Sequence, residues 1–223
     1  MASNDEFIRE VDEEYRRDQI AQIWARYNGL IIGVVILVIA GVGGWRYWQY
    51  SEQNRAQAAA VRYEDALRLA RDDNGDEAEK ALEVLAKDTS GGYAQLGRFR
   101  LAAQIGRTSQ QDGAKAFDAL ASDPKVDPLW QGLARLRAAM LRMDSADQNA
   151  LRQALEPLAT PTGTWRHTAR ELLGLAGFKA GDMEAAGKWF DQIAADRETP
   201  PALRQRLEIY TALVAGGPVQ VTQ

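Results

Sequence analysis

The chain of 223 residues carries a formal net charge of −4 at pH 7 and contains no Cys and one His. Disulfides and thiolate metal sites are therefore excluded, and His-based metal sites and catalytic triads lack a second member. The acidic balance argues against a nucleic-acid surface, which needs clustered Lys and Arg. Because the chain outside its apolar run is rich in strong helix formers, we expect an all-α protein.

Residues 1–28 form a charged, amphipathic tail. Ser3 and Glu6 fit a capping box at a helix start, where their side chains satisfy free backbone amides. The apolar residues that follow fall on one stripe of a helix, opposite a charged face. Two interpretations stay open: a helix that lies on the membrane or docks a partner, and a continuation of the next helix.

Residues 29–48 are predicted to form a single transmembrane helix. The nineteen residues from Tyr27 to Trp45 carry no charge, and as a helix they span about 28 Å, close to the hydrocarbon thickness of a bilayer. Amphipathic rings prefer the headgroup level, and five are predicted interface anchors: Trp24, Tyr27, Trp45, Tyr47 and Trp48. The alternative is a cleaved signal peptide, which the long charged tail and the length of the apolar run disfavour.

Four small residues share one face of this predicted helix: Gly29, Gly33, Ala40 and Gly44. Small side chains let another membrane helix approach closely, so this face is a candidate packing site. The alternative is that glycine is simply common in membrane helices.

Residues 51–223 are predicted to form an array of helical hairpins, an α-solenoid. Segments of helix formers alternate with short breaks that carry Gly, Pro, Asn and Asp, which are typical helix-stop and turn signals. The expected helices are 53–71, 76–87, 92–105, 110–122, 128–143, 146–158, 164–180, 183–196 and 201–214.

One stretch near the C-terminus has the spacing of a tetratricopeptide repeat, carried by Gly174, Gly181, Ala186 and Phe190. Gly174 and Ala186 are expected to let the paired helices touch, and Phe190 to fill the gap between hairpins. Earlier repeats, about 35 residues apart, are degenerate. A generic helical array is the alternative.

The order of a short charged tail, one apolar helix ending in Gly44-Trp-Arg-Tyr-Trp48 and degenerate repeats resembles the YfgM-like family of membrane-anchored tetratricopeptide proteins. That family comprises ancillary subunits of the SecYEG translocon. The resemblance implies an inner-membrane anchor, a periplasmic repeat domain, and partners among the Sec translocon subunits and a PpiD-like periplasmic chaperone. Translocating polypeptides are further expected partners.

No nucleotide-binding glycine motif occurs in the sequence, and His167 is expected to be a surface or packing residue. We therefore expect a protein-binding function without an enzyme activity, cofactor, metal or small-molecule substrate. The function expected first is a periplasmic adaptor at the translocon. The alternative is a membrane-tethered scaffold for cell-envelope or division complexes that has no chaperone role toward translocated polypeptides.

The first helix of each tetratricopeptide hairpin usually lines a concave binding face. By register with Gly174, six residues are candidates for that face: Arg98, Met140, Met143, Glu171, Phe178 and Lys179. Methionine repacks easily and suits a tolerant surface. Core packing is the alternative for Phe178 and the two Met residues.

The expected topology places residues 1–28 in the cytoplasm and residues 51–223 in the periplasm. Within about 20 residues of the membrane, four Arg lie on the tail side and three on the domain side, which favours a cytoplasmic tail slightly. Long domains translocate largely regardless of charge, so the size of the repeat domain is no obstacle.

Overall fold

The computed structural model describes residues 2–88 and 91–217 and contains nine α-helices, one short 3-10 helix and no strand among them. The all-α prediction is confirmed. The chain divides into two compact units, Met1–Ala58 and Ala59–Gln223, and each is described by itself. The helices are α1 Ala2–Arg71, α2 Gly75–Asp88, α3 Gly92–Thr108, α4 Gln110–Ser122, α5 Pro128–Arg142, α6 Gln148–Leu155, α7 Arg166–Lys179, α8 Met183–Ala195 and α9 Pro201–Gly216.

The first helix is much longer than predicted. A separate helix at 53–71 was expected, but α1 runs without a break from Ala2 to Arg71. The first Pro in the chain is Pro124, and the residues after Tyr50 are good helix formers, so nothing in this stretch stops a helix. The predicted domain boundaries near residues 28, 48 and 51 all fall inside α1 and remain predictions.

The part of α1 from Trp24 onward contains a stretch that is long and apolar enough to cross a membrane, and none of that stretch is buried. In the first unit its apolar side chains are exposed, including Leu37 at 72% and Ile39 at 65%. Outward-facing Val, Ile and Leu all around a helix suit a lipid environment rather than water.

Within the second unit, the end of α1 contributes a buried stripe of Ala59, Ala66 and Ala70. Between them, the ring of Tyr63 packs 6.2 Å from that of Tyr93 in α3. Arg107 of α3 donates a hydrogen bond to the carbonyl of Ala70 at 3.2 Å. These contacts attach the last turns of α1 to the helical array.

From α2 to α9, each helix packs against the next one along the chain. Three apolar clusters fill the spaces between the helices from α3 to α9, and each cluster draws on at least three consecutive helices. Phe117 lies in the cluster of α3, α4 and α5, Leu155 in that of α5 to α8, and Phe190 in that of α7 to α9. The core is therefore continuous along a stack of hairpins, as in solenoids.

Several helices of the array start with a side-chain cap. Asp127, Asp147 and Asp182 each accept a hydrogen bond from a backbone amide in the first turn of the helix that follows, at 2.8, 2.8 and 2.9 Å. Such caps satisfy amides that have no partner inside the helix. The sequence predicted a helix over 146–158, but α6 ends at Leu155 and a 3-10 turn follows, because Pro157 has no backbone N–H to continue the α-helical hydrogen bonds.

Two glycines set the distance between α3 and α4. A Cβ atom added to Gly113 would lie 2.3 Å from the Cα of Gly106 and 2.7 Å from its nitrogen. Real side chains do not tolerate such distances to backbone atoms, so the two helices can touch only if position 113 has no side chain.

The last helix, α9, buries Leu203 and Leu207 against α8. On its other side Ile209 and Leu213 are 62% and 43% exposed. The described array thus ends on a helix that is covered on one side.

We expect Gly113→Ala to destabilise the domain by about 1–3 kcal/mol, because the added methyl group forces α3 and α4 apart. A matched control is Gly187→Ala in α8, where the new Cβ would meet only Val214 at an ordinary 3.7 Å. Replacing an interior helical glycine there should stabilise by about 0.5–1 kcal/mol. Thermal unfolding followed by circular dichroism measures both, and equal effects of the same sign would contradict the assigned contact.

Candidate protein-binding surface

The repeat-signature residues lie at the contacts of α7 with α8 and α9. Phe190 is 1% exposed and its ring stacks on Tyr210 of α9 with 5.2 Å between centroids. A Cβ atom at Gly174 would lie 2.3 Å from Phe190 Cε1. Gly174 therefore makes room for the Phe190 ring, which packs between the α7–α8 hairpin and α9.

The close contact between the paired helices uses a different glycine from the one expected. A Cβ atom at Gly177 would lie 3.0 Å from the backbone nitrogen of Ala186, which is fully buried. Gly177 and Ala186 thus bring α7 and α8 together, whereas Gly174 faces Phe190. Gly181 has φ of 78° in the turn between these helices, a left-handed conformation that favours glycine.

Glu171, a candidate for the concave face, bridges two hairpins. Its carboxylate accepts two hydrogen bonds from Arg206 of α9, at 2.9 and 3.0 Å, and one from the Tyr210 hydroxyl at 3.1 Å. Burial, and after it the neighbouring carboxylate, raises the pKa of Tyr210. The Glu171 side chain is only 13% exposed, so it is largely engaged within the chain.

Lys179 links α7 to the end of α5. Its Nζ donates to the Met143 carbonyl at 2.7 Å and lies 3.7 Å from Asp144. The Met143 side chain is half-buried against the cluster of α5 to α8, whereas Met140 is 46% exposed. Of the two Met candidates, Met140 presents the larger free surface.

The two other candidates also contact their own chain. Arg98 donates a hydrogen bond of 2.6 Å to Asp123 at the end of α4. The hydrogen bond from the Lys125 amide and, after it, the one from Arg98 hold the pKa of Asp123 below its usual range. Phe178 is half-buried in the cluster of α7 to α9. A binding role for the six candidates remains a prediction. Lys179 and Met143 are joined by the hydrogen bond between α7 and the end of α5, and the amide of Met143 donates to the carbonyl of Met140 within the last turn of α5.

A charged cluster at Asp196 fixes the end of α8. The Oδ2 atom of Asp196 accepts hydrogen bonds from Arg166 at 2.7 Å and Arg170 at 3.4 Å, and it lies 3.0 Å from His167 Nε2. Arg166 also pairs with Glu198. Arg170, 5% exposed, donates to the Ala159 and Gln192 carbonyls as well. One carboxylate thus holds the start of α7 and the end of α8 together.

This cluster was missed from the sequence, where His167 was interpreted as a surface or packing residue. The three basic residues lie 26 to 30 residues before Asp196, and only folding brings them to its carboxylate. The hydrogen bond from Arg166 and, after it, that from the Glu198 amide hold the pKa of Asp196 well below its usual range.

In the first unit, the small-residue face and the aromatic anchors are open. A Cβ atom at Gly29, Gly33 or Gly44 would meet nothing within 4 Å. All five anchors are exposed, from 46% at Tyr27 to 76% at Tyr47. Both sets are therefore available to lipid or to another membrane helix, and their roles remain predictions.

The fold consists of stacked hairpins with small residues at their contacts, preceded by an apolar helix that could span a membrane. These features place the protein in the class of helical-repeat proteins with one candidate membrane anchor. The model of the family described as tetratricopeptide repeat-like domain matches residues 22–209. The chain belongs to this tetratricopeptide repeat-like family.

Three relatives, each described as an ancillary SecYEG translocon subunit, are similar over most of the chain. The protein of Aggregatibacter actinomycetemcomitans is 27% identical, covering 88% of this chain and 94% of the relative. That of Escherichia coli K12 is 25% identical, with 88% and 95% covered. That of Haemophilus influenzae is 22% identical, with 82% and 88% covered. No solved structure is significantly similar to the chain.

We expect Asp196→Asn to lower the melting temperature, and the difference from wild type to shrink as the pH falls. The folded-state pKa of Asp196 lies below the unfolded value, so its contribution is fully present above about pH 3.9 and declines as the pH falls below that. Melting curves of both proteins from pH 6 to pH 3 measure the difference.

Asp191→Asn is the matched control, since Asp191 is an exposed residue of the same helix. It should change the melting temperature little at any of these pH values. An Asp196→Asn difference that stayed constant down to pH 3 would show that the ionised carboxylate does not stabilise this end of α8.

Proposed function

We propose that this protein is an adaptor at the Sec translocon, held in the bacterial inner membrane by one helix, and that it acts by binding proteins rather than by catalysis. The observation that carries the proposal is the similarity to three ancillary SecYEG translocon subunits over 82–88% of the chain. A tetratricopeptide-like array supports it, because such arrays bind through extended helix surfaces and need no cofactor.

In this proposal residues 1–28 are cytoplasmic, residues 29–48 cross the membrane and residues 51–223 lie in the periplasm. There the repeat domain would contact translocon subunits, a PpiD-like chaperone and translocating polypeptides. The family resemblance and the slight excess of Arg on the tail side support this orientation.

The anchor gives the proposed adaptor a physical advantage. A domain tethered beside its partner binds at an effective concentration that the tether sets, so modest contacts suffice for a stable association. The exposed small-residue face of α1 is available for a membrane contact with the translocon, and the hairpin surfaces for soluble partners.

The orientation is tested by single cysteines, since the natural chain has none. We expect a membrane-impermeant maleimide to label Ala215→Cys in cells whose outer membrane is permeabilised, because Ala215 is exposed in α9. Ser3→Cys should be labelled only after the inner membrane is opened. The opposite labelling pattern would show that the topology is reversed, and a periplasmic role for the repeat domain would then be rejected.

The association with the translocon is tested by closing the small-residue face. Gly33→Leu with Gly44→Leu should reduce co-purification of SecY several-fold after membrane crosslinking, because leucine keeps the helix apolar but blocks close approach. Neither leucine would clash within the chain, since both glycines face open space.

The control is Val38→Leu with Val42→Leu, two exposed positions on the other side of the helix, which should leave the recovery of SecY unchanged. Membrane insertion is checked for all variants by alkaline extraction. Equal recovery of SecY with the two double variants would contradict the role of the small-residue face. If the wild-type chain itself recovered no SecY, the proposed function would be rejected.

A further inference from the structure

A groove of about 420 Å³ lies between α6 and α8, with α7 as its floor. Its size falls within the range of ligand sites, roughly 300–1,000 Å³. The floor is formed by Leu173 and Ala176 of α7, and the half-buried Trp189 closes one wall. Leu173 is two residues after Glu171, so it lies about 200° round the helix from that candidate concave-face residue. None of the six candidates for the concave face lines the groove.

Part of the polar lining is already engaged. Gln148 donates to Asp182 at 3.2 Å, Asp182 also caps α8, and Lys188 pairs with Glu184 at 2.6 Å. These contacts fix one end and one wall of the groove.

Four other polar side chains line the groove without any hydrogen bond or ion pair in the described part of the chain: Asn149, Arg152, Glu156 and Gln192. Asn149 lies on the α6 wall and Gln192 on the α8 wall. A carboxamide offers a donor and an acceptor, which is the complement of a peptide unit. Two of them on opposite walls, over an apolar floor, suit an extended main chain.

Two charged groups that form no hydrogen bond or ion pair in the described part of the chain are placed to fix the side chains of such a ligand. Arg152 and Glu156 are four residues apart and are joined by a helical backbone hydrogen bond, so they lie about 6 Å apart along the axis. In an extended segment, side chains two positions apart share a face and are separated by about 6.6 Å. A carboxylate opposite Arg152 and an ammonium group opposite Glu156 therefore match one segment with an acidic and a basic residue two positions apart.

We propose that this groove binds extended polypeptide segments that carry an acidic and a basic side chain at positions i and i+2. Arg152 holds the acidic side chain, Glu156 holds the basic one, and Asn149 and Gln192 hold the main chain. The inference rests on the proposed function in one respect: chains that emerge from a translocon are unfolded and supply extended segments.

The test uses the full-length chain in detergent micelles and fluorescein-labelled nine-residue peptides of Gly, Ser and Ala. Four peptides differ only in the residues at positions i and i+2. Three carry charged pairs, which are Asp with Lys, Asp with Asp, and Lys with Lys. The fourth carries the uncharged pair Asn and Gln. Fluorescence anisotropy gives each dissociation constant. The wild-type chain should bind the Asp–Lys peptide about tenfold more tightly than the other three, which corresponds to about 1.4 kcal/mol.

Reversing one charge in the groove should change the preferred peptide. Arg152→Glu leaves two carboxylates and should prefer the Lys–Lys peptide, and Glu156→Arg leaves two guanidinium groups and should prefer the Asp–Asp peptide, each about tenfold. Both positions are exposed, so the fold is preserved. Arg137→Glu on the exposed surface of α5 alters the net charge as Arg152→Glu does and should keep the Asp–Lys preference.

Equal binding of all four peptides by the wild-type chain, or an unchanged order in both groove variants, would overturn the proposal. The same preparations are scored for SecY co-purification. If the wild-type chain recovers SecY but binds the four peptides equally well, only the proposal for the groove is rejected. If the wild-type chain prefers the Asp–Lys peptide but recovers no SecY, only the proposed function is rejected.

Discussion

No hairpin of the repeat domain can bury its own apolar face, and the rest of the fold depends on this constraint. Phe117 and Phe190 each project from the second helix of a hairpin into a space that the next hairpin completes. Burying a phenylalanine side chain contributes about 1.5–3 kcal/mol, but only if the facing helices come close enough to exclude water. Small residues provide that closeness at three places. They are the pair Gly106 and Gly113, the single residue Gly174, and the pair Gly177 and Ala186. Gly174 and Phe190 are a direct pair, since the missing side chain leaves the space that the ring fills.

Charged contacts then fix how the hairpins sit on one another. Glu171 accepts hydrogen bonds from Arg206 and Tyr210 one helix pair later, and Lys179 reaches back to the carbonyl of Met143. Apolar packing alone tolerates sliding, whereas a forked Arg–carboxylate pair demands one geometry. Side chains that the register assigned to a binding face thus help to hold the array together, whereas both walls of the groove between α6 and α8 carry polar side chains without a partner in the described part of the chain.

Much of this architecture could be predicted from the sequence, because its signals are local. Helix stops such as Gly181-Asp182 and Pro200-Pro201 lie beside the residues they affect, and the ends of α4, α8 and α9 were placed within two residues. The continuity of α1 from the tail into the apolar segment is one of the two interpretations of the sequence, but its continuation past Trp48 was not predicted, because a change from apolar to polar composition does not have to end a helix. The partner of Ala186 and the contacts of Asp196 depend on loop lengths and on residues far apart in the chain, which periodicity does not encode.

The position of α9 at one end of the array affects how the domain opens. In a linear stack, the stability of each element is the sum of its own folding preference and its contacts with neighbours on either side. A helix that is covered on one side, with Ile209 and Leu213 left outside, has fewer such contacts than α5 or α7. Its backbone amides should exchange with solvent through local fraying at a lower free energy than those in the middle of the stack. Within the described array, α9 is therefore expected to be less rigid than α5 and α7.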